Sequence, residues 1–534
     1  MTLLPRWKVL LCGIVLLLGV LALVHPFLRL DSARQYLVVS PWSPGREKSA
    51  EGKHEPASPP PPSPPPPPSP KKPPLKYKPA PTYTAPPVKD PFPLLSTTST
   101  PPPIPAYNVP PKDAWKAYDG VTVAPPLLIG FTRNWPMLLQ TVVSYLTAGW
   151  PADQLYVVEN TGTQQANARG QLTLQNPRFL NHTQLKKVLG VNVVQTPVLL
   201  SFAQMQNFFL ALSYDHGWPY YFWSHMDVVA LAHEAGVPGL TAAAGEKGYK
   251  SLHRQHRPSR KEDRLPKFWL SSPPQKEKQK EKTPKPEPPR WAARFFAYDH
   301  LTLQNPRALE AIGGWDTFIP YYMTDCDTYS RFAMGGWSVA DADAGIITDV
   351  AAVFDDLRAL YRDPGVVPRF TDPNPPAPEG KTKAARTRLR GRRGGGYPEG
   401  DTSTLNSTTA TTTTIQEETP TPPLHPPHQK RDVPFPHEPM NLSLPTDYWW
   451  LLRREADNMF HHKHGGGRGR NTWQAAQRGG RDEPFGYDAN GFEESVRVLT
   501  EAGKDVFARK WGHRECDLGK YKMGDQWRVE KDWE

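Results

Sequence analysis

The sequence predicts an α/β domain with a mixed, mostly parallel sheet flanked by helices. Short apolar segments typical of buried strands alternate with longer segments whose apolar residues recur at helical spacing. Such alternation is typical of βαβ units, in which a helix joins two parallel strands. Long segments rich in proline, basic residues or threonine interrupt the pattern, and these are predicted to lie outside the packed core.

The first half of the sheet is predicted to alternate between strands and helices. Its first strand, 127–131, ends at the polar turn Thr132-Arg133-Asn134. The other predicted strands of this half are 155–158, 191–194 and 220–223, and the predicted helices are 137–146 and 202–214. The last strand is an aromatic run that leads directly into His225-Met226-Asp227.

The second half contains fewer strands and longer helices. A predicted helix ends at Gly335-Gly336, since glycine commonly follows the last helical turn. A later helical pattern beginning near Asp447 is interrupted by His461-His462-Lys463-His464. This tract resembles a metal-binding tract, but the Gly/Arg-rich loop beside it favours a solvated segment. The predicted elements of this half are strands at 291–297 and from 337, and helices at 306–312, 326–334 and 493–511.

Composition sets the predicted domain boundaries. The net charge of +11 lies largely in proline- and lysine-rich segments, which favours solvated linkers over a nucleic-acid site. The predicted parts are a folded domain at 122–360 with a basic insert at 246–290, a low-complexity insert at 363–445, and the C-terminal part of the domain at 447–534.

The N-terminal residues predict an anchor and a spacer. Residues 9–28 are almost entirely apolar, which predicts a transmembrane signal anchor after a cytoplasmic tail at 1–8; a cleaved signal peptide is the alternative. Residues 29–121 include a nearly pure proline run at 59–68 and are predicted to form an extended stem.

Cysteine usage leaves the redox state open. The chain has three cysteines, and Cys12 lies in the predicted anchor. Cys326 and Cys516 lie in the folded part, where they either form one disulfide in an oxidising compartment or remain buried free thiols.

Two carboxylate motifs carry the predicted chemistry. Asp227 follows a strand, and ligands of open α/β sheets bind beyond the carboxyl ends of strands, where a carboxylate can hold a hard cation against a diphosphate. A turn or capping residue is the alternative for Asp227. Asp325 and Asp327 open a predicted helix, and Asp325 is either a general base, a helix cap, or both.

These residues resemble motifs of GT-A glycosyltransferases, especially family 2-like members of the fungal, membrane-anchored type. His225-Met226-Asp227 resembles their Asp-x-Asp motif, with histidine in place of the first aspartate. Residues 313–331 resemble their later Gly-Gly-aromatic-Asp and Glu-Asp-x-Asp motifs, with Thr324 in place of the glutamate. Lys510-Trp511-Gly512 resembles a C-terminal segment of fungal members.

The resemblance implies roles for individual residues. Asp325 matches the base, and Asp327 matches a helix carboxylate that orders the site. Trp315 and Asp316 would lie on the acceptor side. A divalent cation, Mn²⁺ or Mg²⁺, would bind Asp227 with His225 and His513 as further ligands. The residues implied in donor binding are Thr132, Arg133, Glu159, Asn160, His225 and Asp227.

The resemblance also implies an activity and a location. The expected reaction is transfer of a sugar from a nucleotide-sugar donor to a hydroxyl of a glycan, glycoprotein or glycolipid. A catalytically inactive carbohydrate-binding or wall-associated membrane protein with the same fold is the alternative. The expected location is the Golgi or ER membrane, as a single-pass type II protein with a luminal domain and no nucleic-acid partner.

Overall fold

The structure is a computed structural model, and it is described here over parts of the chain. The described residues are 77, 87–95, 100–110, 112–117, 122–232, 234, 290–342, 345–371, 440–464, 479–480, 482–485 and 489–530. The chain divides into two units, 1–79 and 80–534, and all the contacts below belong to the second. The predicted tail at 1–8, the anchor at 9–28 and most of both inserts lie outside the described residues. Within the described ranges, no helix combines the length and apolar character needed to cross a membrane.

A seven-stranded sheet forms the centre of the fold, in the order β3-β2-β1-β4-β7-β6-β8. Strands β3, β2, β1 and β4 are parallel, β7 is antiparallel to both of its neighbours, and β6 and β8 are parallel. The predicted mixed, mostly parallel sheet is confirmed. Its strands are β1 (Leu127–Phe131), β2 (Leu155–Glu159), β3 (Asn192–Gln195), β4 (Tyr221–Ser224), β6 (Arg290–Phe295), β7 (Leu301–Gln304) and β8 (Trp337–Asp341).

Two small antiparallel sheets flank the central one. Strand β5 (Val228–Leu231) follows β4 and pairs with β9 (Ile346–Asp349), which sets Val228 opposite Asp349. Strand β10 (Val353–Phe354) pairs with β11 (Phe370–Thr371). The β5–β9 pair matters for the site, because it joins the residues just after β4 to the end of β9.

The described part of the chain contains six α-helices around the sheets, and sequence signals explain where several begin. They are α1 (Trp135–Thr147), α2 (Phe202–Asp215), α3 (Pro306–Ala311), α4 (Thr324–Met334), α5 (Pro445–His464) and α6 (Ala489–Trp511). Asn134 caps α1 by accepting a hydrogen bond from the Met137 amide. Ser201 and Gln204 form a reciprocal capping box at the start of α2.

The core lies on both faces of the sheet. Leu127, Ile129 and Phe131 of β1 point into the cluster that contains α1, while Leu128 points into the cluster that contains α2. A Cβ on Gly130 would lie only 2.4 Å from Met205 Sδ, so a glycine lets α2 approach β1 closely. Burial on both faces explains why β1 reads as a continuous apolar run.

Part of the segment predicted to be a stem packs on the domain. Phe92 and Leu95 are buried in the core. Buried Asn108 donates hydrogen bonds to the Thr147 carbonyl at 2.9 Å and to Glu234 Oε1 at 3.1 Å. The boundary at 121 was placed by proline content, which does not distinguish an extended spacer from an extended segment packed on a core.

The insert predicted at 363–445 also begins too early. Val366 is buried, and its carbonyl accepts a 2.6 Å hydrogen bond from the Tyr448 hydroxyl of α5. Strand β11 follows, and the Phe370 amide donates to Glu455 Oε1 at 3.2 Å. Residues 363–371 are therefore part of the fold.

The C-terminal residues are joined covalently to the centre of the chain. Cys326 in the first turn of α4 forms a disulfide with Cys516, with Cα atoms 5.3 Å apart and 190 residues between them in sequence. The disulfide alternative is therefore the one that the structure adopts. It fixes the segment after α6 beside the helix that carries Asp325 and Asp327.

Candidate functional site

The order of the parallel strands reverses between β1 and β4. From β1 the chain proceeds outward to β2 and β3, and then returns to place β4 on the other side of β1. In open α/β sheets the crevice at the carboxyl ends of such strands is where ligands bind. Thr132 and Arg133 follow β1 at this edge, and His225 and Asp227 follow β4, so the structure brings these predicted donor-site residues to the same edge of the sheet.

The loop after β4 is held in place by buried hydroxyl groups. Thr141 Oγ1 of α1 donates to the Met226 carbonyl, 2.7 Å away. The Tyr145 hydroxyl and Ser224 Oγ lie 2.7 Å apart. The His225 amide donates to the His300 carbonyl at 3.0 Å. These bonds fix the backbone that presents His225 and Asp227.

Asp227 is paired with a lysine. Lys463 Nζ donates to Asp227 Oδ2 at 2.8 Å and to Asp349 Oδ1 at 2.6 Å. Asp227, Asp349 and Lys463 are only 8%, 4% and 5% exposed. His464 Nε2 lies 2.9 Å from the other oxygen of Asp349. One ammonium ion thus joins the residue after β4 to the last residue of β9.

The pKa values reflect this pairing. Burial by itself would raise the pKa of Asp349, but the hydrogen bond from His464 and the charge of Lys463 outweigh it and hold the pKa well below its usual value. Burial opposes the charge of Lys463, yet Asp227 and Asp349 together raise its pKa above the ordinary value. Burial lowers the pKa of His300, beside Asp349, to about 4.

The prediction of a solvated tract at His461 to His464 is wrong for Lys463, whereas His461 is exposed. Helix α5 continues through His464, and Lys463 is buried rather than solvated. The buried stripe of α5 explains the difference, since it reaches Lys463 at helical spacing. The stripe consists of Tyr448, Leu452, Ala456, Met459 and Lys463.

A strained turn between β6 and β7 adds a further carboxylate to the site. Ala297 and Tyr298 adopt left-handed backbone conformations, with φ of 76° and 55°, which is unfavourable for residues with a side chain. Asp299 follows, only 5% exposed, and its Oδ1 lies 3.9 Å from His225 Nε2. The Tyr329 hydroxyl donates to Asp299 Oδ2 at 3.2 Å. Burial raises the pKa of Asp299 to about 6, although His225 opposes this rise.

His225 therefore lies between two carboxylates. Its Nδ1 is 3.8 Å from Asp227 Oδ1, and its Nε2 faces Asp299. The ring stacks on Trp223, with centroids 5.7 Å apart, and 30% of its side chain is exposed. The arrangement links the residues after β4 to the turn after β6 through one imidazole.

The two candidate catalytic aspartates of α4 occupy different environments. Asp325 is half-buried in the first turn, and its Oδ2 accepts a hydrogen bond from the Tyr298 hydroxyl at 3.1 Å. Asp327 is completely buried. Its oxygens bind Arg331 Nε at 2.8 Å, Trp511 Nε1 at 2.9 Å and Lys510 Nζ at 2.7 Å. Asp327 therefore anchors α6, whereas Asp325 remains partly exposed to solvent.

The predicted acceptor-side residues do not form an open sugar-binding face. Trp315 is 2% exposed, and its ring packs 5.5 Å from that of Phe202 within the core. Asp316 Oδ2 forms an ion pair with Lys510 Nζ at 2.8 Å. Trp315 is thus a core residue, and Asp316 joins the same lysine that binds Asp327.

The predicted donor residues at the end of β2 are also engaged within the chain. Glu159 Oε1 accepts from Asn167 Nδ2 at 2.7 Å, and Oε2 lies 2.8 Å from His182 Nε2. Asn160 binds the Leu200 amide and carbonyl at 2.7 and 2.8 Å, which ties the loop before α2 to β2. These contacts give both residues a structural role.

Arg133 is buried, with 4% of its surface exposed. Its guanidinium carbon lies 4.1 Å from the centroid of the Phe492 ring of α6. Burial raises the pKa of the nearby Tyr321 hydroxyl, and the positive charge of Arg133 partly opposes this rise. The residue therefore lies under the start of α6 at the edge where β1 ends.

The residues around Asp227 do not fit the predicted divalent cation. Lys463 Nζ already binds Asp227 Oδ2, and a metal ion on that oxygen would be repelled by the adjacent positively charged ammonium. His513 follows α6, and its ring packs 5.3 Å from that of Tyr521. Across the described part of the chain, no group of three or more His, Cys, Asp or Glu side chains could hold a metal ion. The set Asp227, His225 and His513 is not brought together.

Sequence reasoning missed the partners that complete the site. Asp299 and His300 lie in a short segment between two strands, where a polar pair is typical of an ordinary turn. Asp349 ends a short strand, and Lys463 lies in a polar tract. The available signal for Lys463 was the apolar stripe of α5, which extends to it by one more step of four residues.

Comparison with known proteins gives a structural likeness but no sequence match. No protein-family model matches the chain, and no curated protein matches it either. Among solved structures, the chain is similar to the mannosyltransferase PcManGT from Pyrobaculum calidifontis in complex with GDP-Man and Mn²⁺, with 13% sequence identity and a TM-score of 0.24. The match covers 41% of this chain and 55% of that one, so this chain spans about half of that mannosyltransferase's length.

Proposed function

We propose that the protein is a GT-A-type glycosyltransferase that moves a sugar from a nucleotide-sugar donor to an acceptor hydroxyl of a glycan, glycoprotein or glycolipid. One observation carries the proposal. The carboxylates Asp227, Asp299 and Asp325 lie, with His225, around the point where the strand order of the sheet reverses. This is the place where open α/β sheets bind nucleotides and related ligands.

The proposed chemistry needs a base and a stabilised leaving group. The acceptor oxygen attacks the anomeric carbon, the bond from that carbon to the nucleoside diphosphate breaks, and the hydroxyl proton passes to a carboxylate. Asp325 is the proposed base, since it is half-buried and is oriented by the Tyr298 hydroxyl. General-base catalysis contributes roughly 10²–10⁴-fold to the rate. Thr132 and Arg133, after β1, are the proposed contacts to the donor.

The proposed setting is the lumen of the Golgi or ER, with the chain anchored as a single-pass type II membrane protein through residues 9–28. The Cys326–Cys516 disulfide supports an oxidising compartment, since disulfides are rare in the cytosol. No nucleic-acid partner is proposed, because the excess basic charge lies largely in segments predicted to be solvated linkers.

Substitution of the proposed base tests this function. With the full chain in detergent, Asp325→Asn should lower sugar transfer by roughly 100-fold or more, because it removes the proton acceptor. Donor affinity should stay unchanged, since Asp325 is not a proposed donor contact. Asp215→Asn, an exposed carboxylate at the end of α2, is the matched control and should transfer sugar normally.

The alternative function gives a different result. A catalytically inactive carbohydrate-binding protein with this fold would bind glycans but would not turn over any nucleotide sugar. Unchanged turnover in Asp325→Asn would refute the assignment of the base, whereas glycan binding without turnover by the unaltered chain would refute the transferase.

A further inference from the structure

We propose that the Lys463 ammonium takes the position of a divalent cation beside Asp227, so that the donor site works without a bound metal ion. The claim about the cation position rests on contacts within the chain. The claim that the position serves a nucleotide sugar rests on the proposed function, and the two are tested separately below.

The carboxylates define where a cation is needed. The amide of Val350, next to Asp349, donates to the Asp227 carbonyl at 2.8 Å, so the two aspartates lie side by side at the β5–β9 pair. Both are nearly fully buried. Two buried carboxylates repel each other strongly, and a cation between them offsets that repulsion. Lys463 Nζ occupies that place, 2.8 Å from one and 2.6 Å from the other.

The helix that carries Lys463 is firmly held, so the ammonium is part of the fold. The Trp449 indole of α5 donates to the Ala232 carbonyl at 2.9 Å. Leu452 and Met459 on the same face are completely buried in the core cluster that contains α1. Burial of this stripe fixes the last turn of α5 over the carboxyl end of β4, and Lys463 points inward from it.

The remaining hydrogen-bonding capacity points toward an anion. An ammonium has three N–H donors, and Asp227 and Asp349 take two of them. Among the described residues the third N–H has no hydrogen-bond partner, and the ammonium is bound to Asp227, which follows β4 at the edge where a donor diphosphate would lie. A lysine of this kind binds phosphate as a point charge. A tethered ammonium thus supplies part of the charge neutralisation that a bound dication would give.

The same contacts exclude a dication from Asp227. Hard divalent cations approach carboxylate oxygens to about 2–2.6 Å, which would bring the ion close to the ammonium on the same carboxylate. Asp349 has both oxygens engaged, one by Lys463 and one by His464. A metal ion would have to displace a buried lysine that has two charged partners.

Titration with Mn²⁺ alone tests the cation position without any nucleotide sugar. With the full chain in detergent and free Mn²⁺ followed by electron paramagnetic resonance, the unaltered protein and Asp227→Asn should take up the same amount of Mn²⁺. Lys463→Met should take up one additional Mn²⁺ per chain, and Asp227→Asn in that background should remove it. Lys463→Arg, which keeps the positive charge, should gain none.

Two outcomes of the Mn²⁺ titrations would overturn the proposal. One is Mn²⁺ uptake by the unaltered chain that Asp227→Asn abolishes; this comparison holds even where Lys463→Met fails to fold. The other is a folded Lys463→Met, verified by circular dichroism, that gains no Mn²⁺. Nucleotide-sugar turnover gives a separate readout: it should persist in EDTA, and its loss in EDTA would contradict a metal-free donor site. A chain with no turnover at all would refute the proposed transferase, and the Mn²⁺ titrations would still decide the role of Lys463.

Discussion

Replacing Asp299 by asparagine removes a carboxyl group that burial makes costly to ionise. The pKa of Asp299 is raised from 3.8 to about 6, chiefly by burial. Between about pH 4 and about pH 6 the folded protein therefore binds more protons than the unfolded chain, and stability falls as the pH rises through this window. Since each pKa unit corresponds to about 1.4 kcal/mol, the ionised carboxylate destabilises the fold by about 3 kcal/mol at neutral pH.

Asp299→Asn should therefore be more stable than the unaltered protein at neutral pH. The gain should be at most about 3 kcal/mol, and it should disappear on acidification to about pH 4, where the carboxyl is already neutral. Asparagine keeps an oxygen that can accept the hydrogen bond from the Tyr329 hydroxyl. The measurement is the unfolding free energy from urea titrations of both proteins at several pH values, with Asp215→Asn as an exposed control.

Two results would refute this reasoning. A loss of stability in Asp299→Asn that grows with pH would show that the carboxylate is stabilised by His225 more than it is opposed by burial. A difference that is independent of pH would show that Asp299 titrates alike in the folded and unfolded states.

A gain in stability accompanied by a loss of sugar transfer would show that the charge is maintained for function at the expense of the fold.

Substitutions at three further positions test the packing of the fold. Asp327→Asn should destabilise the fold by about 3 kcal/mol in urea titrations, because Arg331 and Lys510 lose a buried partner; a change below about 1 kcal/mol would contradict the anchoring role. Under oxidising conditions Cys516→Ser should unfold with a free energy about 3 kcal/mol lower than that of the unaltered protein, and after reduction the two proteins should be equally stable. The same difference under both conditions would argue against the disulfide. Gly130→Ala should cost about 1 kcal/mol, since the flexible Met205 side chain can move aside, whereas Gly130→Val should cost more; equal stability of all three proteins would show that α2 is not close to β1.

Six of the seven strands of the central sheet were predictable because their signals are local, whereas β7 was not predicted. Strand β1 is a continuous apolar run, and α2 begins at a capping box that can be read within four residues. The ends of strands were therefore placed within one or two residues, and so was the position of Asp227 at the edge of the sheet.

The charged centre of the site was not predictable in the same way. Lys463 binds residues that are 236 and 114 positions away in sequence, so nothing local distinguishes it from a solvated lysine. Asp299 is distinguished by a strained turn and by its burial. Neither property can be recognised from the sequence of a polar residue between two strands. Trp315 and Glu159 were assigned to ligands on family resemblance, and their burial among internal partners became visible only in three dimensions.

The central claim is that the chain turns over a nucleotide sugar at the carboxyl end of β1 and β4. The most direct test is release of nucleoside diphosphate from a panel of UDP- and GDP-sugars by the purified full chain. The account predicts release from at least one donor, abolished by Asp325→Asn and retained by Asp215→Asn. Absence of release from every donor, by a folded chain supplied with glycan acceptors and tested both with and without Mn²⁺, would contradict it.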